Sequence, residues 1–212
     1  MNVISECSLM FREFKGNFQN TGSVLPSSRF LARRMLDPFS KRRQAAHILE
    51  VGAGTGPITE QIVERLRPRD TLHIVELNAE FIRHLRERVN QDPVWRDRKA
   101  QIHIFHADIL KFEHAHEYDY VVCSLPFYNF PPSLVRGIFA KMRHLLKPGG
   151  VLSYFEYAAM RSLGGPFMSR DRRHNMRQIE GMLQEQRAQC LSRSELVLPN
   201  VPPAWVRHLT QK

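Results

Sequence analysis

Cysteine is scarce in this chain, and the three that occur, Cys7, Cys123 and Cys190, are scattered. With no CxxC pair and no even set, the sequence excludes a disulfide framework and a thiolate metal site, and it points to a reducing compartment. Long apolar runs are missing too. No stretch of about 18 apolar residues occurs, so no segment reads as a membrane span. No apolar run follows a basic start, as a signal peptide would require. Acidic residues are in deficit: 21 Asp and Glu stand against 31 Lys and Arg, a formal charge of +10. A surplus of that size asks for an anionic partner, whether nucleic acid, membrane surface or acidic ligand. Internal repeats and low-complexity tracts are absent.

What is there fits one sizeable α/β domain: 212 residues, 42% of them hydrophobic. From residue 47 the chain alternates strand and helix patterns. HILEV reads as a buried strand, and PITEQIVERL as a helix with Ile58, Ile62, Val63 and Leu66 on one face and Pro57 at its first position. TLHIVEL is the next strand. NAEFIRHLRERV is the next helix, capped by Asn78, with Phe81, Ile82, Leu85 and Val89 facing inward. QIHIF and YDYVVCSL are further strands. PPSLVRGIFAKMRHLL is a helix expected to be capped by Ser133 and stopped by KPGG. VLSYFEY is a fifth strand. SELVL and AWVRHL are joined by too few residues for a crossover helix, so they pair as an antiparallel hairpin. The fold class is therefore α/β: a mostly parallel sheet with right-handed crossovers, a C-terminal antiparallel hairpin and N-terminal helices. The organisation divides into residues 1–46, basic and amphipathic, and a ligand-binding unit at 47–212.

The stretch LEVGAGTGPIT carries the chemistry. Gly52, Gly54 and Gly56 fall where a strand turns into a helix, where glycine lets the backbone take positive φ and lets a ligand approach the main chain. A dinucleotide fingerprint would need glycine at position 57, which is Pro57. Glu50, Glu76 and Asp108 stand near the ends of three successive strands, the edge where open parallel sheets bind ligands. At the second strand end Glu76 is suited to accept two ribose hydroxyls. The fourth strand ends in CSLPFYNFP, which resembles the motif IV position of amine methyltransferases. That resemblance implies a proline turn, with Ser124, Leu125 and Tyr128, that orients an acceptor nitrogen, and Phe127 or Tyr128 flanking a cation.

The GxGxG spacing after Glu50 resembles motif I of class I S-adenosyl-L-methionine-dependent methyltransferases. Together, GSVLPSSRFLARRM, ILEVGAGTGPIT, SLPFYNFP and LPNVPPAWVRHL resemble the bacterial phospholipid N-methyltransferases, from about Phe11 to Leu209. That resemblance implies S-adenosyl-L-methionine as cofactor, bound by Glu50, Gly52, Ala53, Gly54, Gly56, Glu76, Leu77, Asp108, Ile109 and Ser124. It implies that Ser27 and Ser28 fold over the cofactor, offering hydroxyls to its carboxylate or capping the next helix. It places Ser124, Leu125 and Tyr128 at the acceptor, and it implies an aminolipid substrate, first of all phosphatidylethanolamine. An ornithine lipid or another aminolipid would suit the same residues, because Ser-Leu-Pro-Phe-Tyr departs from the family's usual glycine-leucine-proline turn.

Adenine N6-dimethylation of rRNA is the competing activity. It would call for Asn or Asp at position 124 and for a helical domain beyond the hairpin. A non-catalytic binding module would not need Glu76 and Asp108 beside an intact glycine loop. The expected partner is an anionic membrane surface rather than nucleic acid. Leu9, Met10, Phe11, Phe14 and Phe18 supply an apolar stripe, flanked by Arg12, Lys15, Arg29, Arg33, Arg34, Lys41, Arg42 and Arg43. This places a monomer in the cytoplasm, peripheral on the inner face of the membrane. His103, His106, His114 and His116 do not form a clean ligand set, so no metal is expected. Arg170, Arg172, Arg173 and Arg177 read equally as lipid-phosphate contacts or as a solvated loop. Tyr128, Tyr154, Glu156 and Tyr157 are general-base candidates by position.

Overall fold

A computed structural model of the chain describes residues 28–114, 118–158, 169–200 and 202–210. The N-terminal apolar stripe, Ser27 and His116 lie outside them. Among the described residues the strands are β1 (His47–Val51), β2 (Thr71–Glu76), β3 (Ile102–His106), β4 (Tyr118–Cys123), β5 (Leu146–Tyr157), β6 (Leu191–Val197) and β7 (Ala204–Thr210). They form one sheet in the order β3-β2-β1-β4-β5-β7-β6. The first five are parallel, while β7 runs antiparallel to both β5 and β6. The parallel sheet and the closing hairpin are as the sequence patterns predict.

Helices cover both faces. α1 (Arg29–Met35), α2 (Asp37–Ser40), α3 (Pro57–Val63), α4 (Ala79–Gln91) and α5 (Pro93–Asp97) share a core with Ile48, Ile74, Val122 and Val206. The opposite face packs Leu49, Val121, Leu152 and Tyr154 under α6 (Pro132–Leu145) and α7 (Arg170–Gln189). Strand β1 is covered from both sides, which is why HILEV reads as a continuous apolar run. Local chemistry starts the helices where expected. Asn78 Oδ1 accepts from the Glu80 and Phe81 amides at 2.9 and 3.3 Å, and Pro57 takes the first position of α3 behind a left-handed Gly56.

Four expectations need correction. Ser133 does not cap α6: the preceding position is Pro131, no side chain caps the end, and Ser133 is exposed. KPGG does not stop that helix, which ends at Leu145. The chain enters the sheet at once, with Leu146 beside Tyr118, and the glycines fall where the β4–β5 register shifts. The arginine cluster is no loop. Arg170, Arg172, Arg173 and Arg177 are exposed on the first half of α7, a 20-residue helix capped by Ser169 and anchored by Ile179, Met182 and Leu183. Arg42 does not belong to a solvent-facing basic flank. It is 8% exposed, pairs with Asp70 and lies over the Phe39 ring at 3.6 Å.

Asp70 is the joint between the N-terminal helices and the sheet. Besides Arg42, it accepts from the Ala46 amide at 2.9 Å and the Arg67 amide at 2.6 Å. Arg42 also donates to the carbonyls of Phe39 and Arg65, at 2.8 and 2.9 Å. A buried pair satisfied this fully contributes little net stability over an apolar pair, but breaking one side strands the other charge. Asp70→Ala is expected to lower unfolding free energy by about 3–5 kcal/mol, measured as a fall in the urea midpoint. An unchanged midpoint would mean that Arg42 finds another partner.

Candidate functional site

The carboxyl ends of β1 to β4 open into a cleft lined by residues from all four. Val51, Leu77, Ile109, Leu125, Phe130 and Ile138 make it apolar, and Glu76 and Asp108 supply its acids. The glycine loop forms one rim. Gly52, Gly54 and Gly56 have φ of +74°, +58° and +87°. Two of these positions show why glycine is needed. At Gly52 a Cβ would collide with the Leu125 side chain, so the turn after β4 seats directly on the loop. At Gly54 no atom of the described residues lies within 4 Å of where a Cβ would be, so they leave the main chain open to a ligand there. Ala53, between them, is buried.

Glu76 holds this loop. One carboxylate oxygen accepts from the Gly54 amide at 2.9 Å and the other from the Asn78 amide at 2.8 Å. A carboxylate has about four acceptor positions, so capacity for a ligand's hydroxyls remains. Asp108 caps a short 3₁₀ turn, accepting from the Leu110 amide at 2.9 Å, and still lines the cleft beside Ile109. Glu50 is fully buried, and among the described residues neither of its oxygens has a partner of hydrogen-bond geometry, although Thr59 lies beside it. Burial pushes its pKa up to about 8; the neighbouring Thr59 hydroxyl and amide offset this only in part, and the charge on Glu76 adds to it. The Ser124 hydroxyl is likewise buried without a partner, while its amide donates to the Val51 carbonyl at 2.9 Å. Cys123 beside it is buried, which raises its thiol to about 12 and leaves it inert.

The sequence left Ser28 two roles, and the structure has it capping. Its hydroxyl accepts from the Leu31 amide at 3.2 Å, and its own amide donates to Asn200 Oδ1 at 3.1 Å. Asn200, from the turn between β6 and β7, was not singled out in the sequence.

Of the four general-base candidates, Tyr128, Tyr154 and Glu156 come together on one face, and Tyr157 packs on the other with Phe155. Burial and the charge on Glu156 push both Tyr128 and Tyr154 well above the ordinary phenol range, so neither serves as a phenolate base. Two arginines absent from the sequence reading complete this group: Arg187 Nη1 donates to Glu156 at 2.8 Å and Arg207 Nε at 3.3 Å. The signal for Arg187 was weak: Ile179, Met182 and Leu183 recur at helical spacing just ahead of it, but they are few in a helix of 20 residues. His73 packs edge-on against His103 and His114, with its Nδ1 at 2.7 Å from the Tyr118 hydroxyl. No helix among the described residues is long and apolar enough to cross a membrane.

A glycine-loop cleft on the carboxyl edge of a seven-stranded sheet, closed by an antiparallel hairpin, defines the class I methyltransferase fold. The crystal structure of the O-methyltransferase TomG from Streptomyces achromogenes, in complex with SAM, superposes with a TM-score of 0.67. Its sequence is 18% identical, and the match covers 100% of this chain and 91% of that one. Residues 48–150 match the family described as methyltransferase domain. An ornithine lipid N-methyltransferase from Singulisphaera acidiphila is 33% identical over 150 residues, 66% of this chain and 74% of that protein. A tRNA1(Val) (adenine(37)-N6)-methyltransferase from Aliivibrio fischeri is 26% identical over 65% of this chain, which spans 55% of that relative's length. The chain belongs to the methyltransferase family whose methyl donor is S-adenosyl-L-methionine.

The titration of Glu50 gives a test within the protein alone. Folded, Glu50 keeps its proton to about pH 8; unfolded, it loses it near the ordinary value of 4.5. The folded state binds the extra proton between those values, so stability falls as pH rises through them. Glu50→Gln is neutral throughout. Relative to the parent, it is expected to gain a few kcal/mol between pH 5 and pH 9, seen by denaturant titration at both. A constant difference between the two proteins would place the charge on Glu50 at neutral pH.

Proposed function

We propose that this protein is an aminolipid N-methyltransferase that acts on the primary amine of a membrane lipid headgroup, with ornithine lipid the first candidate and phosphatidylethanolamine the second. The observation that carries this is the likeness to the ornithine lipid N-methyltransferase, 33% identical over 74% of that protein. A surface feature supports it. Phe30, Leu196 and Leu198 are 41%, 43% and 67% exposed, beside Arg33 of α1 and the β6–β7 turn. That turn lies at the Tyr157 end of β5, the same edge as the cleft. Apolar side chains edged by arginine suit a lipid headgroup layer, with each basic residue worth roughly 1 kcal/mol at an anionic surface. The enzyme on this reading is peripheral to the membrane.

The residues present fit the cofactor. The open main chain at Gly54, the partnerless oxygens of Glu50 and the apolar cleft with Glu76 and Asp108 at its mouth match a ligand with an ammonium, a ribose and a flat base. Gly52, Ala53, Gly54 and Gly56 would cradle its methionine part near Glu50. Glu76 would take the ribose hydroxyls, while Leu77, Asp108 and Ile109 would flank the adenine. S-adenosyl-L-methionine supplies a methyl group made electrophilic by the sulfonium. The turn Ser124–Tyr128 would line the acceptor nitrogen up behind it, and the nitrogen attacks only after losing its ammonium proton.

Two measurements test the reading. Glu76→Ala is expected to weaken S-adenosyl-L-methionine binding by roughly 1–3 kcal/mol in calorimetry; unchanged affinity would remove Glu76 from the site. Purified protein supplied with labelled methyl donor should modify ornithine lipid or phosphatidylethanolamine in vesicles, compared side by side with tRNA and rRNA. Label in RNA alone would overturn the lipid assignment in favour of the tRNA-modifying relatives.

A further inference from the structure

We infer that Glu156, Arg187, Arg207 and Tyr128 form the receptor for a zwitterionic headgroup, an amine with an anionic group only a few bonds away. The inference rests on the aminolipid reading and specifies what part of the lipid is recognised. The four side chains come from β5, α7, β7 and the turn after β4. Both guanidiniums converge on one oxygen of Glu156, Arg187 at 2.8 Å and Arg207 at 3.3 Å, while the other oxygen meets the Tyr128 hydroxyl at 3.3 Å. Two positive charges against one negative leave the cluster with a surplus of positive charge.

A brace for α7 would not need that surplus. The helix is already anchored by Ile179, Met182 and Leu183, and one arginine would satisfy one carboxylate. Two guanidiniums drawn to a single oxygen repel each other, and an added anion relieves that repulsion. The donors to hold one are available. Each guanidinium carries five N–H groups in a planar fork suited to carboxylate or phosphate. The side chains of Arg187 and Arg207 remain 20% and 16% exposed, and none of their nitrogens is a buried orphan. Arg207 is further fixed over the Trp205 ring at 4.8 Å.

The negative member is the group an amine would pair with. Glu156 is 9% exposed by side chain, and among the described residues its second oxygen has only the long contact from Tyr128. Tyr128 belongs to the strand-four turn, four residues beyond Ser124. The anion of a headgroup on the arginines and its nitrogen toward Glu156 and the turn would satisfy both signs of the cluster at once. An ornithine headgroup provides a carboxylate for this, and phosphatidylethanolamine a phosphodiester; the chemistry is shared.

The test compares three acceptors in the same neutral detergent micelles: ornithine lipid, phosphatidylethanolamine and a long-chain primary amine without an anion. The parent is expected to show a KM for at least one zwitterionic lipid about tenfold below that for the plain amine, the scale of one charge-assisted hydrogen bond. Arg187→Gln and Arg207→Gln should raise that KM by about tenfold and leave the plain amine within about twofold, so the preference collapses. Arg187→Lys should keep part of it. Unaltered cofactor affinity by calorimetry and an unaltered melting temperature would show that the variants are folded. Which lipid has the lower KM tells carboxylate from phosphodiester. Equal losses on all three acceptors, or a preference that survives both glutamine variants, would overturn the inference while leaving the aminolipid reading intact. A parent that methylates none of the three would overturn both.

Discussion

The structure turns on one carboxylate holding one loop. Three glycines in the left-handed region, at 52, 54 and 56, form a backbone path that other residues rarely adopt, and Glu76 ties its middle by accepting the Gly54 amide. The Gly52 amide donates to the Val75 carbonyl at 2.9 Å, which fixes the near end. Because the loop follows this path, α3 starts at Pro57 and Glu50 is shut in beneath it beside Thr59. The loop also has no Cβ at position 52, so Leu125 can settle there. On the proposed reading, the turn that positions the acceptor is thus built on the loop that positions the donor. The two are joined by the Leu125 side chain and by the Ser124 amide's hydrogen bond to the Val51 carbonyl.

Around that joint the sheet divides its work by strand. The β1, β2 and β3 ends supply the cleft's acids, the turn after β4 adds Leu125 and Phe130 to its apolar wall, and β5, β7 and α7 bring together Glu156, Arg207 and Arg187. The charge surplus read from composition is therefore unevenly placed. Arg42 spends its charge internally on Asp70, and Arg34 is tied to Asp37 and Glu195 at 3.3 and 3.2 Å. Arg187 and Arg207 face one another across Glu156.

Much of this was legible in the sequence, because the relevant signals are local. HILEV, the glycine spacing, Pro57 and Asn78 each fix a conformation through neighbours a few residues away, and the structure follows them. Readings failed where the deciding partner is distant. Arg42 looks solvated until Asp70, 28 residues on, is brought against it. The helix Arg170–Gln189 was missed because three buried apolar residues in 20 barely mark a face amid its arginines. Ser133 looked like a cap, but the two prolines ahead of it start the helix earlier. The Tyr128–Glu156–Arg187–Arg207 group is assembled from four separate segments, so no spacing announces it. On the proposed reading the headgroup is hidden for the same reason: its recognition would depend on that assembled charge pattern, which the glycine loop does not encode.

The order of the last strands has a consequence for how the chain is made. β7 follows β6 in sequence yet lies inside it, between β5 and β6. During synthesis β5 therefore presents an open edge from Val151 to Tyr157 until β7 has left the ribosome. An apolar, unpaired edge of that kind is a template for wrong pairing with another nascent chain. The hairpin must arrive as a unit and dock by its second strand. The Ser28–Asn200 hydrogen bond, spanning 172 residues, can close only after that docking, so the first described turn of the protein is among the last pieces to be secured.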